Sequence, residues 1–494
     1  MVSDAEPITL YGLKRFAASY WGLLALLGLA TVLRLIGIGQ WSLWQDEEMS
    51  IYLSQDHRHI FVRSFPPFFK LLSSIYAWTG ISTSVGRAVA GAFGVLGIAM
   101  TYGFCRKHAS PQVGLIAALF LTVTLGHLFW SQSIRYYTML AAAELATVWL
   151  FYEGLEQNKA WKVALSGLTF TFAMVIHFTA VLLLPVLVGY LLLVFALRQA
   201  EPGYRWQPLA VWSLIVAIGL YFLLPQFLAF QRSGAGGPPP VVQPPLPLLV
   251  RITAYYGVPV VGLALASLAF WRAVPIRFYL LAFSLGVIPN LEIIVLGVRA
   301  MANITWYHAF VAMHGAAILA AVGLVGLASV GWRKLALTAG VLSTLYYGVF
   351  LGLYYTTMHG DRPRWEEACA HLQQLEPIEP MSATNSQLFA TVPEVIAYYL
   401  GVPPDRARPQ GPLVQLIEEP PRLPPEPKPA WYLVKASHVS PAYEAWFNKH
   451  CEYRAAFPAH TGPVDRTVRI YYWPGKAAEQ DESPAITAGS SSEE

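Results

Sequence analysis

Trp41-Ser42-Leu43-Trp44-Gln45-Asp46-Glu47-Glu48 sets three carboxylates in a row directly behind two tryptophans. Aromatics mark a membrane–water interface. Carboxylates at that depth suit a general base or a divalent-cation ligand, and they equally suit the solvated first turn of a helix. Three cationic signals follow. In Phe65-Pro66-Pro67-Phe68-Phe69-Lys70 the prolines start an interfacial helix, and Lys70 either snorkels to the headgroups or meets a phosphate. Arg87 opens the small-residue string AVAGAFGVLG and calls for an anionic partner such as phosphate. Trp130-Ser131-Gln132-Ser133-Ile134-Arg135-Tyr136-Tyr137 packs an amide, a guanidinium and two phenols into one short loop. At a membrane boundary such groups need partners, either a substrate or one another.

The elements that must hold these residues are membrane spans. The chain has 494 residues, of which 55% are hydrophobic and only 13% charged. Soluble domains carry about 25% charged residues, so this apolar surface needs lipid. A net charge of +4 without a basic run gives no ground for nucleic acid. Eleven apolar runs are legible, near residues 19–39, 86–105, 111–130, 136–155, 163–179, 181–197, 208–230, 255–271, 278–298, 308–330 and 335–355. The first is too long for a signal h-region, and the joint at His177–Thr179 leaves little room for a turn.

Eleven spans with residues 1–18 in the cytoplasm put a basic pair in each of six cytoplasmic pieces. These are Lys14/Arg15, Arg106/Lys107, Lys159/Lys162, Arg198/Arg205, Arg272/Arg277 and Arg333/Lys334. That obeys the positive-inside rule. The outer loop 40–85 breaks the rule with Arg58, Arg63 and Lys70, with Arg87 just past its end, and holds amphipathic stretches near 47–59 and 66–78. Residues 231–254 begin GAGGPPP, continue PPLP and start as a stiff extended turn. The transmembrane part ends near 355. Residues 356–475 alternate helix-like and strand-like patterns, among them DRPRWEEACAHLQQL, AWYLVKA and RTVRIYYW, predicting a small extracytoplasmic α/β domain, and 476–494 read as a disordered tail. Cys369 and Cys451 both fall in that domain and either pair or stay as thiols.

The four outer motifs occur in the order found in the GT-C glycosyltransferases, and the chain resembles the protein O-mannosyltransferase and lipid A aminoarabinose-transferase type. The acidic pair after the first span is matched by Asp46-Glu47, the PPL-type motif with its lysine by Pro66-Pro67 and Lys70. The arginine of the second span is matched by Arg87, and the second-loop motif by Ser131 to Tyr137. The resemblance covers residues 20–200 well and 361–475 loosely. Phe65 stands where the family usually has His, and Ser133 where it usually has Glu.

The resemblance implies a polytopic α-helical membrane protein, with a sugar taken from a polyprenyl-phosphate donor and passed to a protein, lipid or glycan acceptor. It implies Asp46 as catalytic base with Glu47 as orienter, and inversion at the anomeric carbon. Lys70, Arg87 and Arg135 would hold the phosphate, with Gln132, Tyr136 and Tyr137 lining the donor site. Magnesium or manganese on Asp46 and Glu47 stays open. A bacterial inner membrane is the expected location. Two rivals remain: a transporter or flippase of lipid-linked sugars using Glu144 and Glu292, and a non-catalytic relative suggested by Phe65 and Ser133.

Overall fold

The computed structural model describes residues 10–199, 206–233, 242–299, 306–376, 387–401, 414–417, 428–461 and 464–475. The expected tail, the GAGGPPP stretch and residues 1–9 lie outside them. The chain forms two compact units. One holds Met1–Trp41 and Met49–Thr356; the other holds Ser42–Glu48 and Thr357–Glu494.

The first unit is helical throughout. In chain order its elements are α1 (Leu10–Leu35), α2 (Gln45–Gln55, begun in the other unit), α3 (Ile60–Ser64), α4 (Pro66–Thr79), α5 (Thr83–His108), α6 (Pro111–Val123), α7 (Leu125–Ser131) and α8 (Tyr137–Glu156). They continue as α9 (Ala160–Ile176), α10 (Leu183–Ala196), α11 (Trp206–Arg232), α12 (Pro245–Tyr256), α13 (Val258–Ala266), α14 (Ile276–Val298), α15 (Ala312–Ser329) and α16 (Arg333–Thr356). Among the described residues six helices are long and apolar enough to cross a membrane, or eight if each sharply bent pair counts as one span. The protein is an integral membrane protein: α11 and α16 present Leu214, Ile218, Phe222, Leu337, Leu342 and Leu345 on their open faces, an apolar exterior that only lipid covers without cost.

α15 is the centre of the bundle and is buried on all sides. Its small residues let neighbouring backbones close in, the usual means of association where lipid removes the hydrophobic drive. A Cβ on Gly286 of α14 would sit 3.0 Å from the Ala316 nitrogen and the Gly315 carbonyl carbon. Charges gather where helix ends meet. Glu153 near the end of α8 binds Lys107 and His108 from the end of α5 and Lys162 from the start of α9. Arg277 at the start of α14 bonds Glu156 at 3.1 Å and the Gln199 carbonyl beyond α10 at 2.8 Å. Five helix ends therefore share one side, as alternating spans require.

Two expected spans are broken. The run 111–130 bends by 66° at Thr124, between α6 and α7. The run starting near 255 belongs to a helix that begins at Pro245 and turns by 97° at Gly257, whose φ of 86° suits only glycine. The PPLP motif thus begins a helix, with Pro245 at its first position, rather than continuing an extended turn. The tight joint at His177 is made by an extended residue whose imidazole bonds the Thr179 hydroxyl at 2.8 Å, followed by a 3-10 turn over Phe178–Leu182.

The second unit is a five-stranded sheet with helices on both faces. Its elements are α17 (Trp365–Leu375), β1 (Gln387–Ala390), α18 (Pro393–Tyr399), β2 (Gln415–Leu416), β3 (Ala430–Lys435), α19 (Pro441–His450), β4 (Glu452–Phe457), β5 (His460–Thr461), β6 (Val464–Asp465) and β7 (Val468–Trp473). The strand order is β2-β1-β3-β7-β4, parallel from β2 to β3 and antiparallel beyond. Alternation along β3 sends Trp431 and Leu433 to the α17 and α18 side, and Tyr432 and Val434 to the α19 side. Cys369 lies in the first of these cores and Cys451 packs against the second, so they are separate thiols. Burial pushes both up to about 12.

Candidate active site

In the first unit the loop after α7 is held by its own side chains. Gln132 is fully buried; its amide nitrogen donates to the carbonyls of Leu33, Arg34 and Ile36, and its oxygen accepts from Tyr354 at 2.9 Å. It closes the end of α1, whose last carbonyls have no helical partner. Arg87, also fully buried, donates to the carbonyls of Ile38 at 2.9 Å and Trp41 at 3.0 Å. Two residues expected to face a donor are thus engaged at the same helix end. The glycines beyond Arg87 let α5 approach α7, because a Cβ on Gly94 would overlap the Ser131 hydroxyl.

Arg135, Tyr136 and Tyr137 form a different group. The Arg135 guanidinium, almost wholly buried, donates to Ser50 Oγ at 3.2 Å and lies 4.9 Å from the Tyr136 ring centre and 5.9 Å from that of Tyr137. Cation–π attraction is strongest when both partners are out of water. Tyr136 stacks on His177 at 4.4 Å, and His177 lies 5.1 Å from Phe65 and 6.2 Å from His308. Phe69 of α4 reaches Tyr136 at 6.3 Å, while Lys70, the next residue, is exposed. The arrangement is a cation walled by aromatics. A lone histidine in an apolar run usually serves helix contacts, so the sequence does not single out His177; only the fold brings it to the loop. Glu144 is buried in α8 and Glu292 is partly buried in α14, with one oxygen of Glu292 lacking a hydrogen bond.

The acidic motif belongs to the second unit. Asp46, Glu47 and Glu48 form the first turn of α2, where carboxylates complement the helix dipole. Glu47 Oε2 accepts from Arg362 Nε at 3.1 Å, with both side chains fully buried. The Asp46 carboxylate acts electrostatically on Lys435. With Glu47 engaged by Arg362, the donors suit an ion pair better than a cation. Among the described residues no group of three or more His, Cys, Asp or Glu side chains could hold a metal.

The family described as dolichyl-phosphate-mannose-protein mannosyltransferase matches residues 65–227. No curated protein matches the chain's sequence. Two crystal structures of ArnT from Cupriavidus metallidurans superpose on 92% of this chain and 98% of theirs, at 14% identity. The TM-score is 0.54 for the one bound to undecaprenyl phosphate and 0.56 for the apo state. Residues 65–227 thus match that family's model, and the chain shares the fold of the ArnT structures. The matched stretch takes in Lys70, Arg87, Gln132, Arg135, Tyr136 and Tyr137, and ends well before Arg362 and Lys435. No sequence signal pointed to the latter two, which lie more than three hundred residues from the acidic motif.

Proposed function

We propose that the chain is a membrane glycosyltransferase moving a sugar from a polyprenyl-phosphate donor to an acceptor hydroxyl on the extracytoplasmic side, with inversion. The observation that carries this reading is Arg135, a nearly buried cation over Tyr136 and Tyr137 that donates to Ser50. The matched family is described as acting on a dolichyl-phosphate sugar, and one similar structure is bound to undecaprenyl phosphate. Both support a polyprenyl-phosphate carrier here.

Asp46 takes the proton of the acceptor hydroxyl as its oxygen attacks the anomeric carbon. The bond from that carbon to the phosphate oxygen breaks, and the electron pair leaves on the carrier phosphate. A single displacement inverts the centre. Arg135 meets the growing charge directly, with Lys70 reaching in from its exposed position on α4. Arg87 serves the same phosphate set by fixing the end of α1. Tyr136 and Tyr137 line the sugar; Gln132 is spent on the α1 carbonyls and stays out of the donor set. The full reading has eleven spans in a bacterial inner membrane, a cytoplasmic N-terminus and an extracytoplasmic C-terminal domain.

The test is transfer and donor hydrolysis in vesicles given a panel of labelled polyprenyl-phosphate sugars, wild type beside Asp46→Asn. Turnover that disappears in Asp46→Asn, with the protein still inserted, supports enzyme and base together. Equal turnover in both removes Asp46 from the centre. Donor binding without turnover in the wild type favours a non-catalytic relative.

A further inference from the structure

The acidic motif and the C-terminal domain form one structural unit, although 315 positions separate Glu47 from Arg362. Four contacts and one electrostatic interaction bind them. The Ser42 N–H donates to His359 Nε2 at 3.2 Å, and the Leu43 N–H to the Tyr399 hydroxyl at 2.6 Å. The Glu366 N–H, at the start of α17, donates to Ser42 Oγ at 3.1 Å. Arg362 pairs with Glu47, and Lys435 at the end of β3 feels the charge of Asp46.

Arg362 is aimed by an unusual turn. His359, Gly360 and Asp361 have φ of 48°, 61° and 60°, three left-handed residues in succession of which only one is glycine. A non-glycine residue there is strained, and such strain persists where the surroundings impose it. The turn presents His359 to Ser42, gives Arg362 the Gly360 carbonyl at 2.6 Å, and sends Asp361 to Arg466 at 3.2 Å. The pair that results is a poor choice for stability alone. Two fully buried charges lose so much hydration that an apolar pair of similar volume often holds better. What a buried guanidinium-to-carboxylate hydrogen bond supplies is direction.

We propose that Arg362 of the C-terminal domain is a positioning residue of the active site, acting through Glu47 to fix the first turn of α2 and with it the direction of Asp46. This rests on Asp46 being the base. Glu47 then has a holding role rather than a chemical one, and the domain becomes part of the catalytic apparatus instead of an appendage to it.

The experiment uses the full chain in detergent or vesicles and compares Arg362→Gln, Glu47→Gln and the double variant. Arg362→Gln leaves a buried carboxylate facing a neutral amide; the double variant restores an amide-to-amide bond of similar reach. The expected result is a tenfold to hundredfold fall in kcat for Arg362→Gln with donor KM within twofold, recovered to within a few-fold in the double variant. Hydrogen exchange at the amides of residues 42–48 gives a reading without turnover: at least tenfold faster in Arg362→Gln, slowed again in the double variant. Wild-type kcat in Arg362→Gln overturns the proposal, as does lost kcat with unchanged exchange, or a double variant no better than the single one in both readings. If the wild type transfers no sugar from any donor, the glycosyltransferase reading fails, while the exchange data still decide whether Arg362 holds the turn.

Discussion

Tyr136 and His177 stack face to face, their ring centres 4.4 Å apart and their planes 18° from parallel. The contact joins the loop after α7 to the break between α9 and the following 3-10 turn. It also holds the ring against which the Arg135 guanidinium lies. Stacking of this kind contributes about 0.5–1.5 kcal/mol. His177→Ala is therefore expected to lower kcat/KM about tenfold at most by loosening Tyr136, and His177→Phe to stay within a few-fold of wild type. Equal and larger losses in both would make the imidazole itself a donor contact.

Asp46→Asn removes the proton acceptor while keeping size and hydrogen bonding. General-base catalysis contributes roughly 10²–10⁴-fold. The expected result is a kcat reduced by that factor with donor affinity retained, read by single-turnover transfer and by binding of the unreactive polyprenyl phosphate.

Arg135 and Lys70 differ in surroundings, so their loss differs in effect. A hydrogen bond to a charged group is worth about 1.5–3 kcal/mol when buried. Arg135→Gln should cost roughly 10- to 150-fold in kcat/KM. Lys70 is exposed, and Lys70→Gln should cost no more than about fivefold and become invisible at high salt. A titration of activity against ionic strength separates the two.

Lys435 offers a pH test within the C-terminal domain. Burial foremost, then Arg466, lowers its amine to about 8, against the raising effects of Asp361 and Asp46. The unfolded amine keeps its proton up to about 10.4. Between these values the unfolded chain binds more protons, so this residue makes stability rise with pH from about 8 to 10.4. Lys435→Met should flatten that rise in thermal scans of the purified chain. Acylation of the Lys435 amine, followed by mass spectrometry, should show a midpoint near 8.

Gly315 of α15 tests the centre of the bundle. A Cβ there would lie 2.7 Å from the Gly286 Cα and the Leu285 carbonyl carbon. Backbone atoms cannot rotate away as a side chain does. Gly315→Val is expected to give no monodisperse protein on size exclusion, whereas Ala-sized changes at Gly340, which faces open space, should be silent.

The sequence carried the parts of this molecule that depend on local order. The helices of the acidic motif and of PPFFK are α2 and α4, and the patterns WEEACAHLQQL, AWYLVKA and RTVRIYYW are α17, β3 and β7, since hydrophobic period and proline position act over one or two turns. The kinks at Thr124 and Gly257 were hidden because mean hydropathy does not change across a bend. Arg87 and Gln132 look like ligand-facing polar groups until the unclosed end of α1 is seen to need them. Arg362 was invisible for a different reason: nothing in DRPRWEEACAHLQQL refers to a carboxylate three hundred residues earlier, and only the fold pairs them.

That separation has a consequence for synthesis. At about 5–20 residues per second, the ribosome takes roughly 15 s to 1 min to travel the 315 residues from Glu47 to Arg362. Throughout that interval the first turn of α2 is already made and its guanidinium partner does not yet exist. The acidic turn reaches its final state only after the last strands are translated and folded, so a ribosome stalled anywhere before residue 362 leaves in the bilayer a bundle whose carboxylate is still unheld.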